Sequence, residues 1–167
     1  IQRTFGKIRA GLNASFNFSK INQFVQREQS LNKAFTQSFT PEIRTNFRIA
    51  PNVRLRYAYR VFQNNLGGRE TEFITKSPSI NFDAYFMKKF TFITKYSYTV
   101  QDDGTTLQSF QNWDANLLFR KSKDAKWEFE LKMSNILNID SQVRTSANTI
   151  SVINSETFIQ PRFITLR

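Results

Sequence analysis

Histidine and cysteine are both absent from this chain of 167 residues. There is no imidazole to act as general base, no thiol nucleophile and no Cys/His set for zinc. Disulfide cross-links are equally excluded. The chemistry that remains belongs to carboxylates and cations. Glu128 and Glu130 have the same parity, so on a strand they share a face, as paired carboxylates would. Lys132 follows on that face, which favours a structural ion pair over acid–base work. Asp102-Asp103-Gly104 carries oxygen ligands without the spacing of a calcium loop, and reads as a turn. Arg54, Arg56 and Arg60 form a basic patch, either for anionic solutes or a partner's carboxylates, or as solvated cations. No catalytic residue, cofactor site or metal site emerges, and the chain is not expected to be an enzyme.

Lys plus Arg is 24 and Asp plus Glu is 13, so the net charge is 24 − 13 = +11. A basic chain with 18 Phe, 5 Tyr and 2 Trp raises the question of nucleic acid. Such a binder gathers its bases and stacking aromatics on one surface. Here they fall on opposite parities, strand after strand, so no nucleic-acid partner is expected. The aromatic content is too high for a disordered basic tail. No run approaches 18 apolar residues, which excludes a transmembrane helix but not strands that cross a membrane by alternation.

The elements that carry these residues are strands. From Gly6 to Ser19 the even positions read Gly, Ile, Ala, Leu, Ala, Phe, Phe, and the odd ones Lys, Arg, Gly, Asn, Ser, Asn, Ser. A period of two over so many residues is a strand, because a helix repeats at steps of three and four. The pattern recurs near 35–49, 53–61, 74–86, 90–100, 107–119 and 127–134, and a last strand is expected near 157–167. This predicts eight strands in an antiparallel up-and-down meander. Connections near 50–52, 87–89 and 121–126 read as compact, and those near 21–30, 64–70, 101–106 and 139–156 as longer and more polar. Short turns at one end and longer loops at the other are the pattern of an outer-membrane β-barrel.

The expected lipid face holds Ile8, Leu12, Phe16, Phe82 and Leu117. The expected lumen face holds Arg9, Arg44, Arg48, Arg54, Arg56 and Arg60, with Asn116. Ten inward cations, Lys7, Lys95, Arg120 and Lys132 among them, stand against five inward anions. A closed eight-stranded barrel has room only for packed side chains, where unpaired cations cost several kcal/mol each. The expectation is therefore an incomplete portion of a wider barrel, with no pairing between residues near 5–19 and 157–167. The 139–156 loop is placed outside the cell and Lys123-Asp124 in the periplasm.

The last third resembles the C-terminal end of TonB-dependent receptors, in particular the outer-membrane β-barrel family of Bacteroidetes. The residues that carry this are Trp127-Glu128-Phe129-Glu130-Leu131-Lys132-Met133-Ser134-Asn135-Ile136-Leu137-Asn138, similar to the family's penultimate strand. Phe158-Ile159-Gln160-Pro161-Arg162-Phe163-Ile164-Thr165-Leu166-Arg167 is similar to its last strand. The resemblance implies residence in the bacterial outer membrane and a barrel of about 22 strands around an N-terminal plug. It also implies uptake of a scarce solute with energy passed on by TonB. The implied partners are membrane lipid, the plug and TonB. Two alternatives stand beside it. One is a structural or scaffold barrel bound to other outer-membrane or surface lipoprotein subunits. The other is a small self-contained eight-stranded barrel. All 167 residues are read as one barrel portion.

Overall fold

The computed structural model describes residues 1–25, 28–47, 51–122, 125–147 and 152–167. Among them are eleven strands: β1 (Gln2–Phe5), β2 (Ile8–Val25), β3 (Glu28–Thr45), β4 (Asn52–Leu66), β5 (Arg69–Phe86) and β6 (Phe90–Asp102), then β7 (Leu107–Arg120), β8 (Glu128–Ser134), β9 (Ser141–Ala147), β10 (Val152–Phe158) and β11 (Phe163–Leu166). Nine form a single antiparallel sheet in the order β1-β2-β3-β4-β5-β6-β7-β8-β11, and β9 and β10 make a separate hairpin. Each strand of the sheet lies beside its neighbour in sequence, apart from the step over that hairpin. The edge strands β1 and β11 are not paired with one another, so no eight-stranded ring closes among the described residues.

Several elements differ from the sequence expectation. Gly6 is not the start of a strand. It takes φ +59° in the turn between β1 and β2, and Lys7 sits in that turn with Nζ 5.5 Å from the Phe47 ring centre. Of the stretches read as polar loops at 21–30 and 64–70, residues 21–25, 28–30, 64–66 and 69–70 are strand. The β2–β3 ladder is paired out to Val25–Glu28, and β4 passes to β5 through Gly67-Gly68 alone. Both glycines have positive φ (58° and 87°), the backbone of a two-residue primed hairpin turn. Beyond their apolar portion the formerly apolar face of these strands turns polar, so polarity there marks a change of surroundings and not a loop. The expected loop at 139–156 contains the β9–β10 hairpin, and Thr157 and Phe158 belong to β10, not to the last strand. Lys123-Asp124 and Arg48 lie outside the described residues.

The turn at Met87-Lys88 also has positive φ at both central positions (52° and 56°), without glycine. A side chain there costs about 1 kcal/mol. Lys88→Gly is therefore expected to raise stability by about 1 kcal/mol, read from the unfolding midpoint at unchanged m-value.

At the other end of the sheet, two asparagines fasten the chain after β8. Asn135 and Asn138 both adopt left-handed backbone (φ 50° and 56°), which Asn tolerates better than most residues. The buried Asn135 side chain donates from Nδ2 to the carbonyls of Ile139 (2.8 Å) and Gln160 (3.0 Å), and its Oδ1 accepts from Ile139 N–H (2.9 Å). Its own N–H donates to Asp114 Oδ1 (3.0 Å), and Asn138 Oδ1 accepts from Arg162 N–H (3.1 Å). The segment after β8 is thereby tied to β7 and to the approach to β11. Pro161, which has no N–H for a ladder, lies just before β11.

Candidate functional site

Residues opposite one another in an antiparallel pair share a face, so the register assigns every side chain of the sheet. Ile8, Leu12, Phe16, Phe82 and Leu117 fall on one face. Arg9, Arg44, Arg54, Arg56, Arg60 and Asn116 fall on the other.

The polar face carries its charge in rows. Arg9, Arg44, Arg54, Asn81, Lys95 and Asp114 stand opposite one another across six consecutive strands. Three guanidinium groups on adjacent strands repel one another. The charge set against them is slight: Glu42 Oε1 lies 4.0 Å from Arg44 Nε and 3.7 Å from Arg54 Nε. Arg9 Nε donates to the neutral Thr4 hydroxyl at 3.3 Å. A groove of about 470 Å³ opens along this row, with Asp83 at its side. Arg56 stands opposite Glu42 in the next row, while Arg60 is further along the strand beside Ser38 and Thr75. Such a row is stable only where water or a counter-ion reaches it. At the far side of the face Glu128 pairs with Arg120, and Glu130 accepts from Asn116 Nδ2 at 2.8 Å. The carboxylates thus find cross-strand partners where the sequence pointed to Lys132.

The opposite face is apolar and uncovered. Phe16 is 62 % exposed and Leu12 43 %, and no second layer packs on the sheet among the described residues. The surface area is 12366 Å², against about 8,600 Å² for a compact protein of this mass. On β2 the band runs from Ile8 to Phe18. Ten steps of about 3.4 Å give about 34 Å along the strand, or about 26 Å of height at the usual barrel tilt of about 40°. The apolar belt of an outer-membrane barrel is about 25 Å tall.

Past this band the two faces exchange character. The formerly apolar face becomes Lys20 opposite Lys33, with Gln63 Nε2 donating to Glu72 (2.6 Å) and Asn65 Nδ2 to Glu70 (3.1 Å). The other face there gathers Ala34, Phe62 and Phe73 into a buried cluster. Apolar inside and polar outside is the pattern of a structure in water. Sequence reading passed over Phe62 and Phe73. The available signal was the doubled apolar pair at Val61-Phe62 and again at Phe73-Ile74, where alternation changes phase.

The acidic β6–β7 connection is a turn. Asp102 Oδ1 accepts from Gly104 N–H (2.9 Å), and Asp103 Oδ1 from the N–H groups of Thr105 (2.9 Å) and Thr106 (2.6 Å). Those backbone donors hold the Asp103 carboxyl below its ordinary 3.8. Among the described residues no group of three His, Cys, Asp or Glu is placed to hold a metal ion.

No family model, curated protein or solved structure matches this chain.

Proposed function

We propose that the chain forms part of the wall of an outer-membrane β-barrel, the C-terminal portion of a TonB-dependent receptor that takes up a scarce solute. One observation carries the reading. A single-layer sheet bares an apolar band of bilayer height on one face and a row of arginines on the other. A soluble sandwich would cover the apolar face with its own second sheet. In a membrane the lipid covers it, and the arginine row lines the lumen. The change of face at Phe62 and Phe73 then marks where the strands leave the hydrocarbon. The role in uptake, and the plug and TonB as partners, rest on the resemblance of 127–138 and 158–167.

Two measurements test this. The chain has no cysteine, so Thr105→Cys and Ser122→Cys each supply a single thiol at opposite ends of the sheet. An impermeant thiol reagent on intact cells is expected to label position 105, and position 122 only after lysis. The reverse order inverts the topology, and recovery of the protein in the soluble fraction overturns the membrane placement. For uptake, loss of the gene is expected to slow growth when one nutrient is made limiting, and loss of TonB to give the same defect. A defect that ignores TonB assigns the barrel to a scaffold.

A further inference from the structure

We propose that the apolar face, at its rim by Phe86, Phe90 and Trp127, holds one phospholipid with a negatively charged headgroup. This is the end where the connections 46–51 and 121–127 are longer than 67–68 and 103–106 at the other, the reverse of the expected turn asymmetry. The proposal rests on the membrane reading above and adds a ligand to it. Phe86, Phe90, Phe119 and Phe129 form a cross-strand row on this rim, with successive ring centres 5.3, 4.9 and 6.3 Å apart. Beyond the row a groove of about 930 Å³ opens between Phe119, Phe129 and Trp127, with Lys89, Lys121 and Lys126 at its margin. That volume is at the upper end of the roughly 300–1,000 Å³ of small-molecule sites.

The two connections that supply the lysines are tied together, since Arg120 N–H donates to the Lys89 carbonyl at 2.8 Å. None of the described lining residues is acidic. Among the described residues, the carboxylate of Glu128 nearby is on the other face and pairs with Arg120. Lys89, Lys121 and Lys126 therefore line one groove whose other described lining residues carry no charge, beside an aromatic floor on which Trp127 is 77 % exposed. Phosphate alone would leave the floor bare, and a neutral lipid would leave the lysines unmatched. An anionic phospholipid answers both, with its acyl chain against Phe119, Phe129 and Trp127 and its phosphate at the lysines.

Tryptophan fluorescence tests this directly. In the full chain carrying Trp113→Phe, Trp127 is the single tryptophan. The protein is refolded into phosphatidylcholine vesicles doped with phosphatidylglycerol, with bromine on the acyl chains of one lipid or the other. Brominated phosphatidylglycerol is expected to quench Trp127 about fivefold more effectively per mole. The combined Lys89→Gln, Lys121→Gln and Lys126→Gln variant should bring the ratio to one. Equal quenching by both lipids before substitution overturns the lipid site and leaves the membrane reading intact. Quenching by neither overturns both. Native mass spectrometry of protein extracted from its own membrane in mild detergent gives a check without refolding. One anionic phospholipid is expected to be retained and then lost in the triple variant. Retention of neutral lipid alone overturns the proposal.

Discussion

Leu12→Arg is expected to cost about 2–4 kcal/mol of stability in a bilayer, while Asn13→Arg, one residue on, costs less than about 1 kcal/mol. Leu12 lies within the apolar stretch of β2, opposite Pro41 and 43 % exposed. An arginine there must hold its charge in hydrocarbon or bend away to reach the surface. Asn13 stands opposite Thr40 on the arginine-bearing face, which is wet in the proposed lumen. Leu117→Arg and Asn116→Arg make a second pair at the other side of the sheet. Leu117 lies between Phe92 and Leu131, and Asn116 donates to Glu130, a bond that arginine can keep. Urea unfolding in vesicles measures all four. Equal costs on the two faces would remove the membrane assignment.

Asn135→Ala is expected to cost about 2–4 kcal/mol. About 1 kcal/mol comes from forcing alanine to the left-handed backbone at φ 50°. Another 1–3 kcal/mol or so comes from leaving the Ile139 N–H and the Gln160 carbonyl without their partner in a buried place. Asn135→Gly should fall between, since it relieves the backbone and still loses the three side-chain bonds. Asn135→Asp keeps the acceptor for Ile139 N–H and loses both donations. If Asn135→Ala unfolds with Asn135→Gly at the wild-type midpoint, the bonds carry nothing. Proteolysis of Asn135→Ala should cut earlier between 139 and 162 than in the wild type, because the variant loses the ties from this side chain to Ile139 and Gln160.

This asparagine also shows what the sequence could and could not express. The Asn-Ile-Leu-Asn ending stood out as a family-like motif, yet its physical reason, two left-handed turns and a clamp on β11, lies in residues 25 positions away. Parity was transparent. Once a strand alternates, the face of the sheet on which each side chain lies follows from its odd or even number, and the register between strands carries it across the sheet. Where the environment changed along a strand, parity misled. Asn22, Asn64 and Asn65 look like loop residues only if a strand is assumed to stay amphipathic in one sense for its whole length. The strand does not end at Val61; its apolar side moves to Phe62. The β9–β10 hairpin was hidden for a related reason. Polar on both sides, it offers no period for a sequence to reveal.

The long β2–β3 and β4–β5 stems bear on how this protein can change over generations. A loop accepts an insertion of any size at little cost. A ladder does not. Phe62 faces Phe73 across the stem, and a single residue added to β4 between Phe62 and Leu55 would turn every side chain on one side of the insertion to the opposite face. Deletions on one arm fail in the same way. Neutral change must come as an even number of residues, matched on both arms, or as a bulge that absorbs the odd one. Variation in length should therefore collect at the Gly67-Gly68 tip and at 103–106, and relatives should differ in stem length by even steps.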